Sequence, residues 1–197
     1  NPELLTIVVL VSNAEDRPQE VNISGELQSW NKSFSQYPKV RPATATIPPH
    51  GTMSVSLPSI VWPLGPKSYW WPNVPYRPGY RAQLHTLSLQ LSASGHAIER
   101  KKTRFGFREF RAVGNHYELN GVHVNLRGDN QQEANFGTDA YGIKSGFGRP
   151  TESNGGWPEA VDNLLRLNFN VMRIHQIPAT PYMLDVADEE GLMLVGE

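Results

Sequence analysis

The residues best equipped for chemistry gather in three short clusters late in the chain. The first runs Arg127-Gly128-Asp129-Asn130-Gln131-Gln132-Glu133, the second is Arg173-Ile174-His175-Gln176, and the third is Glu197. Each closes an apolar run of strand type. Carboxylates, guanidinium groups and amides that converge on one place suit a polyhydroxylated ligand, which needs many directional hydrogen bonds. A structural role is the alternative: Arg127 and Arg173 would tie neighbouring strand ends together through buried ion pairs. Spacing leaves both readings open, because structural networks also collect charge at such positions.

Other chemistries find little support. The chain has no Cys, which removes disulfides, thiolate metal sites and a cysteine nucleophile. Its six His are scattered without His-x-x-x-His or other zinc spacing, so no metal is expected. No Gly-x-Ser-x-Gly elbow occurs. The segment Gly142 to Gly148 lacks the Walker pattern and reads as a rim loop. Lys and Arg number 18 against 19 Asp and Glu, which excludes nucleic-acid binding through a basic face. The longest apolar run, Ile7 to Val11, is far too short for a membrane span. Asn1-Pro2-Glu3 is no signal-peptide start, and the 197 residues read as beginning inside something larger.

Two halves must position the clusters. From Leu4 to about Phe110 the pattern has period two: Leu4–Val11, Glu20–Leu27, Thr52–Leu57, Gln83–Leu91 and Ala97–Phe107, the last pair across a Ser94-Gly95 turn. The chain's 17 Gly and 16 Pro exceed the usual combined share of roughly 12%, as expected of short strands and many turns. This half reads as an immunoglobulin-like β-sandwich, with His85 and His96 on its surface. After Arg111 the period changes. Val122–Arg127 is expected as a strand, Asn130–Gly156 as a Gly-rich loop, and Pro158 as the opening of a helix with Val161, Leu164, Leu165 and Asn168 on one face. Asn170–Ile174 is the next strand. Thr180-Pro181 starts a second helix that Gly191 ends, and Leu192–Val195 is the third strand. The order β-loop-α-β-α-β implies a parallel sheet with open edges, and this half reads as unfinished.

At this point the sequence resembles glycoside hydrolase family 2, the β-galactosidase and β-glucuronidase group. The likeness rests on Thr103-Arg104-Phe105-Gly106-Phe107-Arg108-Glu109-Phe110, Tyr117-Glu118-Leu119-Asn120-Gly121, Leu126-Arg127-Gly128, and Leu167-Asn168-Phe169-Asn170-Val171-Met172-Arg173. Pro178, Pro181-Tyr182, Asp188-Glu189-Glu190-Gly191-Leu192 and Glu197 continue it, and Trp71-Pro72-Asn73-Val74-Pro75-Tyr76 precedes it. The resemblance implies a multidomain β plus α/β chain. Residues 1–110 would form the sandwich, and 111–197 the first three strands and two helices of a truncated TIM-type (β/α)8 barrel. It implies a parent that removes terminal β-linked sugars with retention, using two Glu. Both lie beyond this chain, since no Asn-Glu pair occurs in it, so the fragment is expected to be inactive.

Pocket lining is what the resemblance carries over: Arg173, Asn130, Glu133, Glu197, Gln132 and Gln176 as substrate-binding residues. Gln131 and Gln132 replace an Arg-His pair of the family, and Gln176 replaces a His, which leaves the sugar and linkage undetermined. No cofactor is implied, with room for a mono- or divalent cation in the full-length parent. The implied partners are a glycoside or oligosaccharide and the remainder of the barrel, without nucleic acid or membrane, and with homo-oligomerisation open. Polysaccharide-degrading relatives imply a periplasmic or secreted setting. Tyr141, Phe136 and Trp157 are the aromatic candidates for stacking on sugar, whereas Trp70-Trp71 is expected to pack between domains. The competing class is a non-catalytic sandwich module with an α/β tail.

Overall fold

The computed structural model describes residues 4–31, 36–74, 79, 81–132, 156–175 and 179–196, with 131, 132 and 156 described by backbone alone. The chain divides into two compact units that interleave along the sequence. Residues 1–65 and 84–106 belong to the first, 66–83 and 107–197 to the second.

The first unit is a β-sandwich. One sheet has four strands in the order β4-β3-β7-β8: β3 Gln19–Ser29, β4 Ala43–Ile47, β7 His85–Ala93 and β8 His96–Phe105. Against it lie two antiparallel ribbons, β1 Leu4–Leu5 with β6 Ile60–Val61, and β2 Val8–Ser12 with β5 Thr52–Ser56. Alternation decides which side chains turn inward: Val21, Ile23 and Leu27 of β3 are buried, as are Val11, Val55 and Ile47. Ser94 and Gly95, at φ 50° and 79°, make the two-residue hairpin turn that the sequence predicts between β7 and β8. Strand β4 lies in a stretch that was not expected to pair.

His85 departs from its expected surface position and is fully buried. Its ring sits 5.0 Å from Trp62, 5.4 Å from Phe105 and 5.6 Å from Tyr37, and its Nδ1 is 2.7 Å from the Tyr37 hydroxyl. An imidazole is tolerated there because the phenol satisfies it. Sequence alternation alone could not supply that partner.

The second unit holds a three-stranded antiparallel meander, β9 Phe110–Val113, β10 His116–Leu119 and β11 Val122–Val124. It also holds a parallel sheet in the order β12-β13-β14, with β12 Gly128–Gln132, β13 Val171–His175 and β14 Met193–Val195. Helix α1, Gly156–Arg166, lies between β12 and β13 in sequence, and α2, Pro181–Glu190, between β13 and β14. The expectation that Val122–Arg127 opens the parallel sheet is corrected. Asn120 and Gly121 adopt φ 52° and 76°, a hairpin turn that folds Val122–Val124 back onto β10. Parallel pairing starts instead at Gly128.

Both helices bury one face against β13. Trp157, Val161 and Leu165 from α1 and Met183, Val186 and Ala187 from α2 enclose Met172 and Ile174. Trp157 is thus a core residue, not a sugar platform: it is 1% exposed, and its indole N–H donates to the Met183 carbonyl at 3.1 Å. Asn168 lies past the end of α1 at φ 62°, where the amide of Phe169 reaches back to the Leu164 carbonyl. Helix α2 follows its sequence signals closely. Thr180 Oγ1 accepts from the Met183 amide, Pro181 takes the first turn, and Gly191 closes the helix at φ 85°.

Candidate functional site

The geometry of β12 and β13 follows from alternation. Met172 and Ile174 are buried among the helices, so Val171, Arg173 and His175 occupy the opposite face. Register sets Gly128 beside Val171, Asn130 beside Arg173 and Gln132 beside His175. Arg173 Nη1 donates to Asn130 Oδ1 at 2.6 Å. Two residues 43 apart in sequence therefore meet on the face turned away from α1 and α2, with half-buried His175 one step further along β13. Arg127 lies before β12 and is exposed.

Two residues that sequence reasoning passed over build this arrangement. Gly128 is the first. A Cβ there would lie 1.9 Å from the Val171 carbonyl oxygen, so only glycine permits the strands to approach so closely. Asn170 is the second, fully buried at the entry to β13. Its Oδ1 accepts from the Arg127 amide at 2.8 Å and its Nδ2 donates to the Asn125 carbonyl at 2.9 Å. Its own amide and carbonyl bond Arg127 and Met193. One side chain thus fixes where β12 begins relative to β13, and hence that Asn130 faces Arg173. A buried amide between two strand-like runs was the available signal, since asparagine is seldom fully buried unless bonded.

Residues 70–74 of the connector 66–83 meet the C-terminal end of α2. Helix ends leave their last carbonyls unpaired. Here the Trp70 indole donates to the Asp188 carbonyl at 2.7 Å and Asn73 Nδ2 to the Glu190 carbonyl at 2.8 Å. Val74 joins the helix core. Trp70 and Trp71 are both buried, and Arg108 lies 4.9 Å over the Trp70 ring.

Of the six expected binding residues, Arg173 and Asn130 are brought together. Gln132 is placed by its backbone opposite His175, and Glu133, Gln176 and Glu197 lie outside the described residues, as do Phe136 and Tyr141. Among the described residues no three imidazole or carboxylate groups are grouped to hold a metal ion, and no helix is long and apolar enough to cross a membrane.

Comparison with known proteins gives the class. The family description Glycosyl hydrolases family 2 matches residues 4–108, just over half the chain, and the protein belongs to that family. No curated protein sequence matches it. Solved structures resemble nearly the whole chain. An exo-chitosanase of Amycolatopsis orientalis aligns with 98% of this chain and 20% of its own, at TM-score 0.66 and 18% identity. For a β-galactosidase from Bacteroides fragilis, described as putative, the shares are 97% and 25%, at TM-score 0.68 and 17% identity. A β-glucuronidase of Parabacteroides merdae gives 98% and 21%, at TM-score 0.61 and 22% identity. At such identities the likeness is one of fold. The chain spans a fifth to a quarter of the length of these proteins.

Proposed function

We propose that the chain is the part of a retaining exo-glycosidase that carries its sandwich domain and the opening of a (β/α)8 catalytic barrel. Its substrates are terminal β-linked sugars of the β-galactosidase kind. The observation that carries this reading is the Arg173–Asn130 contact on the face of a parallel sheet turned away from α1 and α2. Barrel enzymes assemble their sites on that side, toward the C-terminal ends of the strands. Both outer strands, β12 and β14, keep one edge unpaired among the described residues, which supports a sheet continued by further strands. Likeness of fold to glycosidases over 97–98% of the chain supports it too.

Retaining hydrolysis requires two carboxyl groups about 5–5.5 Å apart across the anomeric carbon, one as acid and base, the other as nucleophile. Neither is assigned to this chain, so its residues bind and orient. With Asn130 Oδ1 occupied by the guanidinium, the Asn130 amide protons donate to a sugar hydroxyl. Arg173, held in one rotamer by that bond, sets the charge and direction of the pocket wall. Glu133, Glu197, Gln132 and Gln176 complete the polar lining by accepting from and donating to the remaining hydroxyls.

The test is a panel of aryl β-galactosides, β-glucuronides and β-glucosaminides given to the full-length gene product and to 1–197. Hydrolysis with retained anomeric configuration by the full-length product alone is expected. Turnover by 1–197 above a contaminant control, or no turnover by the full-length product on any substrate, refutes the proposal.

A further inference from the structure

The first unit carries a groove of about 680 Å³ lined by its own residues. One wall is β2, whose strand partner among the described residues is β5. The other is β8, the last strand of the four-stranded sheet. Among the described residues, β2 therefore presents one backbone edge to which no strand is paired. The floor is the inner face of that sheet. Leu87, Leu89 and Leu91 of β7 lie on it half-buried, and register sets Thr103, Lys101 and Glu99 of β8 beside them.

A strand edge beside an uncovered apolar floor is a template for one more strand. A helix would leave the edge groups unpaired, whereas an added strand satisfies them at the usual spacing of about 4.8 Å. The charges on the floor give the occupant's chemistry. Glu99 and Lys101 are exposed, make no ion pair among the described residues, and stand two positions apart on one face. That is the repeat at which a strand's own side chains return to the same side.

We propose that the groove receives an extended strand of the parent polypeptide, lying outside these 197 residues. The strand pairs with the free edge of β2, turns apolar side chains onto Leu87, Leu89 and Leu91, and sets a basic and an acidic residue two positions apart against Glu99 and Lys101. The source rests on the parent-enzyme reading above and on solved structures of like fold being four to five times as long as this chain.

Two capped strand peptides of alternating Val and Thr, one with a central Lys-x-Glu and one with Glu-x-Lys, test the site on the 1–197 chain. One peptide is expected to bind about threefold tighter than the other, the scale of a partly screened ion pair. It should slow hydrogen exchange at residues 8–12, and the Glu99→Lys/Lys101→Glu double variant should reverse the preference. In the full-length product the same amides should exchange about tenfold more slowly than in 1–197. Failure of both peptides to bind, an unreversed preference, or equal exchange in the two proteins overturns the proposal. So does a concentration-dependent dimer that protects 8–12, which would give the groove to a second copy. A full-length product that hydrolyses glycosides while 8–12 exchange freely sinks this inference and leaves the glycosidase reading standing. An inactive product with 8–12 protected does the reverse.

Discussion

Asn170→Ala is the most direct test of how the candidate site is positioned. The substitution removes an acceptor from the Arg127 amide and a donor from the Asn125 carbonyl, bonds of 2.8 and 2.9 Å made by a fully buried side chain. A buried polar group left without its partner costs about 1–3 kcal/mol. Both orphaned backbone groups are only part-buried, so water recovers some of that. About 2–3 kcal/mol in total is expected. At this chain length such a loss lowers Tm by roughly 5–10 °C. Because the chain has two compact units, a single unfolding curve would blur the effect. Hydrogen exchange in rising urea, read separately on segments 156–175 and 85–105, separates the two, and the loss should fall on the first of these. Asn170→Asp refines the test. It preserves volume and the acceptor for Arg127 but turns an oxygen toward the Asn125 carbonyl and buries a charge, so it should be no better than Ala. Asn168→Gly, at a position already at φ 62°, should be neutral or slightly stabilising. A loss below about 0.5 kcal/mol for Asn170→Ala, or rescue by Asp, would refute the account of Asn170 as the strand-entry clamp.

Three further outcomes follow from the same coordinates. Gly128→Ala sets a Cβ 1.9 Å from the Val171 carbonyl oxygen, so β12 and β13 must part. A loss of about 3 kcal/mol or more is expected by urea denaturation, and unchanged stability would contradict the close approach. Arg173→Lys keeps the charge but gives up the planar fork of donors. On the glycosidase proposal, kcat/KM of the full-length product should fall roughly 10- to 100-fold, and an unchanged value would count against Arg173 as a substrate-binding residue. Burial pushes the Tyr37 phenol above its ordinary value of 10.0, against a smaller opposing pull from a Ser29 hydrogen bond. Its neutral form is therefore the one folding favours: the associated stability is complete below about pH 10 and is lost as pH rises through the folded value. Ultraviolet titration of phenolate should show a late-ionising component that Tyr37→Phe abolishes.

How much of this was legible in the sequence depended on whether the deciding physics was local. Helix α2 was readable end to end, because a Thr cap, a Pro in the first turn and a left-handed Gly each act within a few residues. The Ser94-Gly95 hairpin was readable for the same reason. Val122–Val124 was misassigned because a β-branched run looks alike in an antiparallel meander and a parallel sheet. The Asn120-Gly121 pair that separates the two is itself a hairpin signal in the sequence. His85 and Trp157 were misplaced for a different reason: the Tyr37 hydroxyl and the Met183 carbonyl that make their burial tolerable lie 48 and 26 residues away. At the site, Asn130 and Arg173 were nameable by residue type, but their meeting depends on Gly128 and Asn170, which do no chemistry and set only the register.

The same distinction bears on where the α/β half begins. A change of period near residue 110 is a local signal, whereas membership of a core is not. Residues 66–83 precede β7 and β8 of the sandwich in sequence, yet they belong to the second unit. Val74 is 1% exposed within the helix core, and the caps on Asp188 and Glu190 come from Trp70 and Asn73. Gly191 fits only because it lacks a side chain: a Cβ there would lie 2.6 Å from the Asn73 backbone nitrogen. The Asp188-Glu189-Glu190 run, which the helix dipole disfavours at a C-terminus, is tolerated in part because Trp70 and Asn73 supply donors to those carbonyls. Strand β14 leaves α2 immediately after that capped turn, so the connector helps to set the third strand of the parallel sheet. The proline-rich segment is therefore a structural member of the α/β unit, and a polypeptide begun at the change of period would lack the groups that end α2.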